Sequence, residues 1–120
     1  GKVLALMRGW SYGTDFDREK KKKVFRVIET SNGEQSFTLL LKGRVDGVVM
    51  DGVSAKMILE KNKWVTKVKE KENPVARNAA YIAFHKSTKK ADVIKKFNEA
   101  LRVIKKEGSY NKIISNFIKE

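Results

Sequence analysis

Leu39-Leu40-Leu41-Lys42-Gly43-Arg44-Val45-Asp46-Gly47-Val48-Val49-Met50-Asp51 is the stretch on which the fold class turns. It reads as the end of an apolar helix, a glycine stop, a short buried strand and then a carboxylate. Gly43 suits the left-handed position just past a helix C-terminus because it has no Cβ. Val45–Met50 is a near-continuous, β-branched run with little alternation, the pattern of a strand covered on both faces. Asp51 then stands at the carboxyl end of that strand, the edge at which open α/β sheets bind ligands.

Outward from this segment, strands and helices alternate. Lys2–Met7 reads as a buried strand, followed by the loop Arg8-Gly9-Trp10-Ser11-Tyr12-Gly13. Thr14 or Asp15 can cap a helix reaching about Lys23, with Asp15, Asp17 and Glu19 in an acidic first turn. Val24–Glu29 is a second strand, and Ser31 or Asn32 opens a helix with Phe37, Leu40 and Leu41 on one face. Beyond Asp51 the pattern predicts a helix over Val53–Lys61 and a one-sided strand over Trp64–Val68. Lys69–Asn78, with the only proline, Pro74, is a charged loop, and Ala79–Phe84 reads as a further strand. Two amphipathic helices follow, Lys89–Glu107, ended by Gly108, and Tyr110–Lys119. Alternation at this spacing predicts βαβ units, a mostly parallel sheet and helices on both faces.

The bulk properties bound the function. A chain of 120 residues makes one domain or part of a larger one. No run of 18 apolar residues is present, no signal peptide is visible, and the absence of cysteine excludes disulfides and thiolate metal sites. The net charge of +13 comes from 27 Lys and Arg against 14 Asp and Glu. Such a surplus favours polyanions such as nucleic acid or anionic lipid. The lysines, however, are scattered over helix faces, and the simplest reading is a solvated basic surface.

Chemistry concentrates in two places. Backbone N–H groups of the Gly9–Gly13 loop, beside a helix N-terminus, make an anion site, with Ser11 adding a hydroxyl and Trp10 and Tyr12 flat apolar surface. If the first and third strands are neighbours, Asp51 joins them at one sheet edge, and an anion site beside a carboxylate receives a zwitterion. The competing reading of the same residues is a tight turn with a surface aromatic and an N-capping aspartate. Neither a P-loop nor a dinucleotide fingerprint is present. His85 is the only histidine and reads as structural or solvent-facing, so no catalytic triad can form. No Asp-x-Asp-x-Asp calcium loop occurs, and Asp46, inside the expected strand, needs local hydrogen bonds. No catalytic residue, metal or cofactor is expected.

With these residues in view, the chain resembles the second lobe of the family 3 periplasmic solute-binding proteins, the polar amino acid receptors of ABC transporters. Gly1-Lys2-Val3 to Gly13 is similar to the opening strand and loop of that lobe. Leu40–Asp51 is similar to its Leu-x-x-Gly-Arg-x-Asp-Ala-x-x-x-Asp stretch, and Ala80–Lys86 to its returning hinge strand. Ala100–Phe117 resembles its closing Ala-Leu-x-x-Leu-x-x-x-Gly-x-Tyr-x-x-Ile pattern. Trp10 stands where a small hydroxyl residue is usual, and Gly47 where alanine is usual.

The resemblance implies a three-layer αβα lobe of the type II periplasmic binding kind, with residues 1–86 as ligand-binding lobe and 87–120 as a helical segment that packs largely on the first lobe. It implies that Trp10, Ser11 and Tyr12 hold a ligand carboxylate and that Asp51 holds the amine. The implied partners are an amino-acid-like ligand and a membrane permease, in a periplasmic or extracytoplasmic location, and the protein is not an enzyme. In the absence of the other lobe, the helical stripes Phe97/Leu101/Ile104 and Ile113/Phe117 either fold back on the sheet or form a homodimer. The alternatives are the same fold as a sensor or regulatory domain, a small basic nucleic-acid-binding domain, or a lobe attached to a lytic enzyme.

Overall fold

The sheet is built around its earliest strand. In the computed structural model, which describes residues 1–119, β1 (Val3–Met7) lies between β2 (Arg26–Thr30) and β3 (Gly47–Val48), giving the order β2-β1-β3 with both pairings parallel. The register sets Ala5 opposite Ile28 on one side and Val48 on the other. Ala5 and Leu6 are fully buried, as central-strand positions covered on both faces must be.

The expected strand over 45–50 is shorter, and its bonding to β1 runs from Asp46 to Val49. Asp46 N–H donates to Val3 O at 2.7 Å and Val49 N–H to Ala5 O at 3.1 Å, flanking the two regular residues. Asp46 is exposed rather than inside the strand, and its carboxylate accepts from the Val3 N–H at 2.8 Å and pairs with Lys2 at 3.5 Å.

Two crossovers make the sheet. α1 (Thr14–Lys21) joins β1 to β2, and α2 (Gly33–Leu41) carries the chain from β2 past β1 to β3. Right-handed crossovers, the rule for parallel strands, running in opposite directions would set these helices on opposite faces, a layout with which the sheet order is compatible. α2 touches all three strands and buries Phe37. Asn32 caps it, accepting from Gln35 N–H at 2.9 Å, while the Gln35 side chain accepts from Ser31 N–H at 3.0 Å, a reciprocal cap. The buried Thr30 and Ser36 hydroxyls bond at 2.6 Å, and Thr30 also donates to Leu6 O at 3.2 Å. These two bonds tie β2, β1 and α2 together without leaving a buried polar group unpaired.

Gly43 has φ +66°, with Gly43 N–H on Leu40 O at 3.0 Å and Arg44 N–H on Leu39 O at 2.9 Å, the Schellman ending expected there. α3 (Gly52–Lys61) ends in the same way around Lys63, at φ +56°, with Trp64 N–H on Leu59 O at 2.8 Å. That turn corrects the expected strand over Trp64–Val68. The chain leaves α3 tightly coiled, forms a 3-10 turn at Val65–Lys67, and pairs with no strand.

The chain divides into two compact units, Gly1–Asn78 and Ala79–Glu120. In the second, the expected strand over Ala79–Phe84 is replaced by irregular, exposed chain with Tyr81 88% exposed. A strand needs a ladder partner, and this unit contains no other strand among its described residues. A short 3-10 turn, Lys86–Thr88, precedes α4 (Ala91–Lys106) and α5 (Ser109–Lys119), which pack on each other. Gly108, at φ +85°, turns the chain between them.

Candidate functional site

The chain from β1 leads to β2 on one side, while β3 lies on the other. The crevice at the carboxyl ends of β1 and β3 is therefore the switch point at which parallel sheets bind ligands. A cleft of about 370 Å³ opens there. Trp10, Ser11 and Tyr12, from the loop after β1, and Asp51, after β3, all line it. The expected condition for bringing them together, that the first and third strands are neighbours, is met.

Each residue is held differently. Gly9 at φ +75° and Gly13 at φ +99° take the backbone through conformations that suit glycine and fold the loop back on itself. Trp10 is half exposed at the cleft. Tyr12 is instead turned inward, so its ring is not the flat ligand surface expected of it. Its ring lies 5.7 Å from that of Phe16, which lies 5.1 Å from Phe25. Its hydroxyl accepts from Met7 N–H at 2.8 Å, and burial raises its pKa against the pull of that bond.

The loop donors already hold an anion. Ser11 Oγ donates to Asp17 Oδ2 at 2.5 Å, and Tyr12 N–H donates to Asp17 Oδ1 at 3.3 Å. The Ser11 hydroxyl, then the Tyr12 amide, hold the Asp17 carboxyl below the ordinary value of 3.8. The donors read from the loop as an anion site are thus engaged by a carboxylate of the chain itself.

Asp51 takes the N-capping role of the competing reading. Its Oδ1 caps α3, accepting from Ser54 N–H at 2.9 Å, while the residue is exposed at the cleft wall. That bond fixes the orientation of the carboxylate at the cleft.

The opposite wall went unforeseen. Glu70, Lys71, Asn73 and Asn78 line the cleft from the charged segment after the 3-10 turn, with Glu70 also 3.7 Å from Lys56. The charge of that segment and its single proline were the available signals, but an aperiodic loop carries no register from which a direction can be read. Asp17 was legible only as a helix-start acid. No group of three or more His, Cys, Asp or Glu that can hold a metal lies among the described residues. His85 caps its own turn, its Nδ1 accepting from Ser87 N–H at 3.3 Å and lying 2.7 Å from Ser87 Oγ. No protein-family model, curated protein or solved structure matches the chain.

Proposed function

We propose that this chain is a ligand-binding lobe of the type II periplasmic binding kind, serving an extracytoplasmic receptor for a polar amino acid or similar small zwitterion. The observation that carries this reading is the convergence of the Trp10-Ser11-Tyr12 loop and Asp51 on one cleft at the switch point of a parallel sheet. A loop that binds a carboxylate beside the Asp51 carboxylate matches the two ends of a zwitterion. The ligand carboxylate exchanges with that of Asp17 on the Ser11 and Tyr12 donors, and the ligand amine sits on Asp51. In a complete receptor, closure of a second lobe adds the remaining contacts, and the closed form docks on a permease. The reaction is binding and release, with no covalent step.

A single lobe binds weakly, because half the contacts and the enclosure are missing. Titrating the chain with a panel of amino acids while following backbone amide shifts tests the reading. Shifts at Ser11, Tyr12 and Asp51 with a dissociation constant of about 1 mM or weaker are expected. Perturbations that leave Ser11 and Asp51 unmoved count against it.

A further inference from the structure

α4 and α5 bury only part of their apolar surface against each other. Leu101, Ile104, Ile114 and Ile118 are half-buried, whereas Phe97 is 40%, Ile113 58% and Phe117 51% exposed. At 100° per residue, Val93 and Ile94 extend the Phe97 stripe, and Tyr110 extends that of Ile113 and Phe117. Cations border these stripes. Lys96 and Lys105 flank the stripe on α4, and Lys112 and Lys119 lie beyond Asn116 on the outer side of α5. Lys105 Nζ lies 5.1 Å from the Tyr110 ring centroid. Residues 79–120 hold ten Lys and Arg against four Asp and Glu.

We propose that this helical pair docks on an anionic lipid surface, with the Phe97, Ile113 and Phe117 side chains in the acyl boundary and the flanking lysines among the headgroups. Charge selects this occupant over a second copy, because a symmetric dimer would set like-charged rims against each other. The apolar stripe selects it over nucleic acid, because phosphates would engage the lysines and leave Phe97, Ile113 and Phe117 in water. An interfacial helix satisfies both at once, an apolar face inserted shallowly with Lys and Arg on the polar side. No helix among the described residues is long and apolar enough to cross a membrane, so the pair lies in the surface rather than through it. The inference does not rest on the cleft or its ligand, and it assigns to lipid the helical face that the receptor reading would set against a first lobe.

Cosedimentation of the full chain with phosphatidylcholine vesicles, with and without one-third phosphatidylglycerol, tests it. At least about tenfold tighter binding to the anionic vesicles is expected, weakening as salt rises from about 0.1 M to about 0.5 M. Phe97→Ser with Phe117→Ser is expected to lose binding at least about tenfold, and Lys96→Glu with Lys105→Glu to abolish the preference for anionic lipid. Should the phenylalanine variant lose helicity, the lipid selectivity and salt dependence of the unaltered chain still decide. Equal binding to both vesicles, or to neither, overturns the proposal. So does a concentration-dependent dimer in place of vesicle binding, or nucleic-acid binding that the phenylalanine variant retains.

Discussion

Asp17, Asp46 and Glu34 share one electrostatic habit. Each carboxylate accepts hydrogen bonds that only its charged form can keep, so each titrates below its ordinary value of 3.8 or, for Glu34, 4.5. For Asp17 the main cause is Ser11, for Asp46 the Val3 N–H, and for Glu34 the Lys61 ammonium, 2.9 Å away. The folded chain therefore binds fewer protons than the unfolded chain near these values, and stability rises with pH there. Their contribution is complete above the ordinary carboxylate range and drains away as the pH falls through the lowered values. Urea midpoints between pH 6 and pH 2 should stay level and then drop only below about pH 4. Ser11→Ala removes the leading cause at Asp17, so an NMR carboxyl titration should show the Asp17 pKa moving up toward 3.8. An unmoved titration would mean that the hydroxyl does not hold the carboxylate in solution.

Three helices of the first unit end in the same left-handed turn, but only one has glycine there. Gly43 takes it at no steric cost, whereas Lys23 (φ +58°) and Lys63 (φ +56°) do so with a Cβ. Lys63→Gly should stabilise the protein by about 0.5–1 kcal/mol, the relief of that strain less the greater freedom of glycine in the unfolded chain. A urea midpoint shifted upward with an unchanged slope is the check. The same contrast explains what was legible beforehand. Glycine marks a stop, so the α2 end and the start of β3 could be read from residues 39–51. Lysine marks nothing, so α1 stops at Lys21 rather than Lys23, and the turn after Lys63 was read as a strand. Alternation over Trp64–Val68 described one-sided exposure, but hydrogen bonding to a neighbouring strand is what makes a strand, and no local pattern encodes that. The cleft followed the same division. Asp51 and the glycine-flanked loop have local signatures, whereas Asp17 acquires its role only when Ser11 turns back to meet it.

The molecule as a whole rests on little buried matter. Among the described residues only Ala5, Leu6, Tyr12, Phe37 and Val45 form the buried apolar core, and Leu6 is its largest wholly enclosed side chain. Leu6→Ala should cost about 3 kcal/mol, transfer and cavity together, a large share of the roughly 5–15 kcal/mol that holds a domain of this kind. Denaturant unfolding followed by far-UV dichroism measures it, and a loss under about 1 kcal/mol would show a site that collapses around the smaller residue. The central position of β1 has a further consequence, for biosynthesis. Of the three strands, the one that comes first in the chain is the one that needs both neighbours, and Asp46, which bonds to Val3, follows it 43 residues later. Until that stretch leaves the ribosome, Val3–Met7 is an apolar ribbon with at least one open edge, and the sheet cannot close in the order in which it is made. The nascent chain thus passes through a window of exposure to chaperones that a meander of adjacent hairpins would shorten.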